Sequence, residues 1–150
     1  MEDHQHYMRE ALALGETAGR AGNQGVGAVI VRDGKVVGRG RNRIKTATNP
    51  LMHAETDAIA DACRALGTSD LSGTTLYTTM EPCPMCAGAL LQARIGAWVV
   101  GGRFKSVGRT DMGRYSIESF ADFVAADVTI TSGVLQQECE ALRNRYFPRK

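Results

Sequence analysis

Apolar residues along this chain switch between helical and strand-like spacing, and each switch marks an element. From Tyr7 to Ala21, Met8, Ala11, Leu12 and Ala18 recur near helical spacing, and Gly22 supplies a stop. The β-branched run GAVIV then predicts a strand, Asp33-Gly34 a tight turn, and VVGRG a returning strand, so the three read as a hairpin. A second helix is predicted from about Met52 to Leu66, where Ala58, Ile59, Ala62, Cys63 and Leu66 form one apolar stripe closed by Gly67. TTLYTT reads as a strand. Pro82 to Ala93 reads as a helix whose two prolines stay near its start, where no intrahelical N–H is required. AWVVG and DVTIT add two more strands, and Leu135, Cys139, Leu142 and Tyr146 line one face of a last helix. GRTDMGRYSIESF fits neither period and reads as a loop or mixed segment.

Strands that alternate with helices predict a three-layer α/β/α arrangement, with helices on both faces of a mixed sheet. The chain shows no repeat, low-complexity tract or linker-like run, so residues 1–150 read as a single domain. Two chemistry-bearing segments fall where a predicted helix begins after a strand or loop. That is the edge at which open α/β sheets hold ligands.

Composition adds boundaries rather than direction. At 43% hydrophobic and 23% charged residues the chain resembles an ordinary globular protein. A net charge of +2 neither demands nor excludes a nucleic-acid partner. MEDHQHYMRE lacks the apolar core of a signal peptide, and no apolar run reaches the length of a membrane span. The expected location is the cytoplasm, where thiols stay reduced. The four cysteines therefore read as ligands or core residues, not disulfides.

PLMHAETDAI places His53 two residues before Glu55, and TMEPCPMCAGAL spaces Cys83 and Cys86 as C-x-x-C in a first helical turn. The positive end of a helix favours thiolate. Two thiolates and an imidazole suit zinc, and three protein ligands leave the fourth tetrahedral position to water, as in a catalytic site. Cys63 and Cys139 lie in apolar stripes and read as core. Glu55, beside the metal but not bound to it, is placed to take a proton from that water and pass it on. Taken singly, a C-x-x-C is also a redox pair, His53 an ordinary histidine and Glu55 a helix N-terminal charge. Their conjunction predicts one zinc ion per chain.

H-x-E followed by P-C-x-x-C is a zinc-deaminase signature. With HAE, LYTTMEPCPMCAGAL and the preceding hairpin, the chain resembles the cytidine-deaminase-like superfamily of zinc-dependent hydrolytic deaminases over nearly its whole length. The resemblance implies a five-stranded mixed sheet, zinc on His53, Cys83 and Cys86, proton shuttling by Glu55, and a homodimer. It also implies substrate contacts at Asn42, Ala54, Phe104 and Phe147. The His ligand differs from the Cys usual in small cytidine deaminases, and the short C-x-x-C differs from the spacing of riboflavin-pathway deaminases.

The branch within that superfamily is read from smaller matches. Asn42 in GRGRNR matches a substrate-binding asparagine, and FKSVG at Phe104 to Gly108 resembles a base-contacting stretch of fungal cytosine deaminases. EPCPMCAGAL is closest to guanine and tRNA enzymes. Gly25 stands where many members have proline, and NPLMHAE brings in Leu51 and Met52 where DPTAHAE is usual in the guanine and tRNA branches. RNRYFPRK reads two ways. Tyr146 and Phe147 can lid a pocket, or Arg143, Arg145, Arg149 and Lys150 can join Arg39, Arg41 and Arg43 in a phosphate-binding stripe. The expectation is a hydrolytic deaminase of a free nucleobase or close heterocycle. A cytosine-, isocytosine- or s-triazine-like ring comes first and guanine second. A tRNA adenosine deaminase is the alternative enzyme. A non-catalytic zinc-stabilised nucleic-acid-binding module is the alternative of another class, and an intact Glu55 with only three evident ligands argues against it.

Overall fold

The computed structural model describes residues 3–147. Along the chain run α1 (His4–Arg20), β1 (Gly27–Arg32), β2 (Lys35–Arg41), α2 (Ile44–Ala47), α3 (Ala54–Leu66) and β3 (Thr75–Met80). They are followed by α4 (Pro84–Gln92), β4 (Ala97–Gly102), α5 (Ile117–Phe123), β5 (Thr129–Ser132) and α6 (Gln136–Tyr146). The strands form one sheet in the order β2-β1-β3-β4-β5. β1 pairs antiparallel with both β2 and β3, whereas β4 runs parallel to β3 and β5. The expected five-stranded mixed sheet is therefore present.

Successive residues of a strand point to opposite faces, and here each face has its own core. Ile30, Leu76 and Trp98 pack with Ala58, Ala87 and Leu90 on the side of α3 and α4. Their chain neighbours Val29, Tyr77 and Val99 pack with Met8 of α1 and Cys139 of α6 on the other. Full burial of a large apolar side chain contributes about 1.5–3 kcal/mol. Central strands β1 and β3 are accordingly covered on both faces, and only the edge strands carry exposed positions, Lys35 and Arg39 in β2 and the two ends of β5. Cys63 packs at the rim of the first core, so both non-motif cysteines serve packing as expected.

Two local features set the position of α3. Asp33 and Gly34 both have positive φ (51° and 74°), which makes the β1–β2 hairpin a tight two-residue turn. Gly40 lies directly under the helix: a Cβ there would sit 2.1 Å from the Ala54 carbonyl oxygen. The glycines of VVGRG thus let the start of α3 rest on the end of β2.

The differences from the sequence reading are informative. α3 and α4 begin at Ala54 and Pro84, which makes His53 and Cys83 their N-cap residues. GRTDMGRYSIESF divides into a turn-rich loop and α5, which opens with a capping box between Ser116 and Ser119. Only Ile117 and Ala121 of α5 are buried, too few to establish a period. α2 has no buried residue and hence no apolar stripe to announce it. Among the described residues, no helix is long and apolar enough to cross a membrane.

Candidate metal centre and its pocket

β3 ends at Met80, and Glu81-Pro82 turn the chain into α4, while α3 starts beside the end of β2. The two helix starts meet. His53 and Cys83 have extended N-cap backbones, and neither side chain caps its own helix. N-caps are usually small oxygen-bearing residues that satisfy a helix N–H. Here the side chains turn to each other. His53 Nδ1 lies 3.6 Å from Cys83 Sγ and 3.4 Å from Cys86 Sγ. All three donor atoms lie within 4.8 Å of one another.

This spacing fits zinc. A tetrahedral ion with Zn–S bonds of about 2.3 Å and Zn–N bonds of about 2.0 Å has N···S edges of about 3.5 Å. The Cys83 thiol is lowered to about 4, chiefly by the hydrogen bond from Cys86 and further by that from His53. Cys86 is pushed up by the same bond and by burial. The His53 imidazole is raised, first by its hydrogen bond with Cys83. A thiol whose ionisation is favoured, beside an imidazole and a second thiol, is a donor set suited to a borderline-soft divalent ion.

Glu55 sits in the first turn of α3 and is only 4% exposed. No ion pair reaches it among the described residues, and burial pushes its carboxyl up. The Thr78 hydroxyl lies 3.1 Å from Glu55 Oε1 and 2.9 Å from the Met80 carbonyl. A hydroxyl has one proton, so when Thr78 donates to Met80 a protonated Glu55 can donate to Thr78. Glu55 is thus a buried carboxyl held where it can carry a proton, next to three ligands that would bring a positive ion.

The expected substrate contacts gather around this centre. Asn42, Ala54, Phe104 and Phe147 line one pocket with His53, Glu55 and Cys83. Asn42 is buried and accepts a hydrogen bond from the Ile44 N–H at 3.1 Å, which fixes its amide at the end of β2. The expected aromatic lid is only half present. Tyr146 turns away to α1 and donates its hydroxyl proton to Glu16 at 2.8 Å, while Phe147 lines the pocket.

Glu81 was not singled out by the sequence. It is 4% exposed and accepts from Arg103 Nε (3.0 Å), the Phe104 N–H (3.1 Å) and the Ile117 N–H (2.8 Å). It therefore ties the turn before Cys83 to the pocket wall and to the start of α5. Its signal was a carboxylate between an apolar strand and a proline, a position that burial makes costly without partners.

The arginine stripe of the alternative reading does not form as one surface among the described residues. Arg39 pairs with Glu10, Arg43 with Asp57 and Arg145 with Glu16. Arg149 and Lys150 lie outside the described residues. Arg143 alone of the named set lines the pocket, joined by Arg109 from the loop after β4.

Comparison with known proteins agrees with this geometry. The family model for the cytidine and deoxycytidylate deaminase zinc-binding region matches residues 1–102. The tRNA-specific adenosine deaminase of Bacillus subtilis (strain 168) is 39% identical over 144 residues, covering 94% of this chain and 86% of that protein. The guanine deaminase of the same organism is 43% identical over 93 residues, covering 61% of this chain and 60% of that protein. A structure solved in work on A-to-I editing by tRNA:A34 deaminases at the wobble position of transfer RNA superposes with a TM-score of 0.80 at 34% identity. It covers 91% of this chain and 98% of its own.

The expectation of a free-base deaminase is corrected by these findings. Sequence identity of 32–39% over nearly the whole chain is to tRNA-specific adenosine deaminases. The B. subtilis guanine deaminase matches 61% of this chain, and the guanine deaminase from Nitrosomonas europaea superposes over 95% of it (TM-score 0.82) at 27% identity. Phe104 and Phe147 line the pocket, but Tyr146 packs on α1, so the aromatic lid that a closed free-base pocket requires is incomplete. The zinc signature, the fold and the family match agree: this chain belongs to the cytidine and deoxycytidylate deaminase zinc-binding family, within the cytidine-deaminase-like superfamily.

Proposed function

We propose that this protein is a zinc-dependent hydrolytic deaminase that converts adenosine in tRNA to inosine and releases ammonia. The observation that carries the substrate is full-length likeness to tRNA-specific adenosine deaminases. His53 Nδ1, Cys83 Sγ and Cys86 Sγ would hold the metal. Zinc, when bound, supplies a Lewis acid and makes water a competent nucleophile near neutral pH.

The chain's own groups do the rest. Glu55 takes a proton from the attacking water, delivers it to the ring nitrogen beside the amino-bearing carbon, and then moves the second proton to the departing amine. The balance is one adenosine and one water to one inosine and one ammonia. A base paired or stacked in RNA cannot reach a centre this deep, so the target nucleotide must be flipped out. Asn42 offers both a donor and an acceptor to the base edge, and Phe104 a ring face. The homodimer expected from the family resemblance belongs to the same proposal, and light scattering that finds only monomer counts against it.

The test is inosine formation. The zinc-loaded protein is incubated with an anticodon stem–loop carrying a wobble adenosine, and in parallel with guanine, cytosine and adenosine. Inosine in the RNA, with free bases and adenosine turned over far more slowly, is expected. Faster deamination of a free base than of the RNA overturns the proposal.

A further inference from the structure

Arg109 and Arg143 come from distant parts of the chain, the loop after β4 and helix α6. Both line the pocket that holds the metal centre, and both line the cleft that opens beside it. The Arg109 guanidinium lies over the Phe104 ring, 4.9 Å from its centroid, and that of Arg143 over the Phe147 ring at 3.6 Å. Stacking on a ring face leaves a guanidinium's in-plane N–H groups able to donate. Arg109 directs Nε and Nη2 to Asp111, while its Nη1 has no hydrogen-bond partner among the described residues.

Their charge is only partly met. Asp111 accepts two hydrogen bonds from Arg109, at 2.7 and 3.2 Å. The side-chain hydrogen bond of Arg143 among the described residues goes to its neighbour Asn144, at 3.1 Å. One carboxylate thus faces two guanidiniums, and the Arg143 charge is disfavoured first by burial and then by Arg109. The helix that brings Arg143 here is closely seated: a Cβ on Gly25 would sit 2.9 Å from the Leu142 carbonyl oxygen. That contact gives a packing reason for Gly25. Arg39, Arg43 and Arg145 are each met by a carboxylate, as Arg109 is by Asp111, whereas Arg143 has no carboxylate in ion-pair range among the described residues.

We propose that Arg109 and Arg143 form a phosphate clamp at the pocket mouth, gripping a phosphate ester attached to the nucleoside whose base enters the pocket. The proposal rests on reading the pocket as one that admits a nucleoside. Planar guanidiniums match phosphate oxygens through paired, charge-assisted hydrogen bonds. An anion between them also relieves the repulsion of two half-buried like charges. The phosphate has two sources, the backbone of an RNA strand or a free nucleotide, and the two are separable.

The experiment measures equilibrium binding without turnover, on the zinc-loaded full chain. The ligands are a wobble-adenosine stem–loop RNA and, in a second arm, adenosine 5′-monophosphate against adenosine. The variants are Arg109→Gln, Arg143→Gln, Arg143→Lys and, as a charge control, Arg64→Gln on the exposed end of α3. Zinc content and thermal melts establish that each is folded.

For RNA, each clamp variant is expected to weaken binding roughly tenfold, the size of a lost charged hydrogen bond. Each should also flatten the plot of log affinity against log salt by about one unit. Arg143→Lys should recover part of the affinity, and Arg64→Gln should move neither quantity. A neutral methylphosphonate, placed in turn at the linkages flanking the adenosine, should reproduce the loss at one linkage and remove the further effect of Arg143→Gln there. If only the monophosphate preference over adenosine depends on the two arginines, the source is a free nucleotide and the clamp stands. Wild-type binding of RNA and of monophosphate by the glutamine variants, additive losses at every linkage, or no binding of either ligand by the native chain overturns it. A clamp that passes while the RNA is never deaminated would sink the proposed function alone.

Discussion

Glu55 and Glu81 line the same pocket and are each 4% exposed, yet their surroundings differ completely. Glu81 is surrounded by donors: an arginine that also pairs with Glu118, and two backbone N–H groups. Its charge is spent in holding three segments together. Glu55 meets the hydroxyl of Thr78 and the thiol of Cys86, and no permanent cation. Burial therefore destabilises its charged form and leaves its proton available for transfer. Equal burial does not confer equal chemistry. A saturated carboxylate is a brace, and an undersaturated one beside a metal centre is a candidate shuttle.

The widest break between the two regions comes from the metal. Cys86→Ala removes a ligand and the thiol neighbour of Glu55. We expect loss of bound zinc, deamination below detection, and a lower melting temperature, because metal binding contributes to folding. Metal analysis that finds one zinc per chain in this variant would refute the ligand assignment. Glu55→Gln should keep zinc and fold while turnover falls about 10²–10⁴-fold, the range of general acid–base catalysis. Turnover within tenfold of the native enzyme would make Glu55 no more than a second brace.

Glu81→Gln sharpens the contrast from the other side. It should cost about 1.5–3 kcal/mol in urea unfolding, through the charged hydrogen bonds it weakens, with zinc retained. Turnover should fall by less than tenfold, through loosening of Phe104. Unchanged stability with abolished turnover would reverse the roles of the two glutamates. The smallest effect is expected from Thr78→Val, which deletes the hydroxyl beside Glu55: about 1 kcal/mol of stability and a few-fold in turnover. A loss as deep as that of Glu55→Gln would show that Thr78 itself carries the proton.

The same contrast explains what was readable beforehand. The candidate metal ligands were visible because each pair is local. Cys83 and Cys86 share one helical turn, and His53 and Glu55 share one helix start, so spacing alone fixes their direction once a helix forms. The hairpin turn and the stop at Gly67 were legible for the same reason: each depends on the φ that a few residues prefer. The element order, read from apolar periods, was sufficient for the three-layer class. α5 escaped because a helix with two buried residues has no period to detect, and the free-base reading failed because the pocket mouth is assembled from segments far apart.

What the sequence determined by itself is the direction of each candidate ligand at its own helix start and the three-layer class, since these follow from backbone geometry over one turn or one strand. That His53 meets Cys83 and Cys86, 30 and 33 residues on, is tertiary. What only the tertiary structure decided is the partner of each charge. Arg145 and Arg143 are two positions apart on α6, yet one is neutralised by Glu16 while the other faces the pocket with Arg109. Glu81 finds Arg103 and the α5 backbone only because β4 lies parallel to β3. Spacing along a helix sets which way a side chain points, but sheet order and helix packing set what it meets there, and a charge is defined by what it meets.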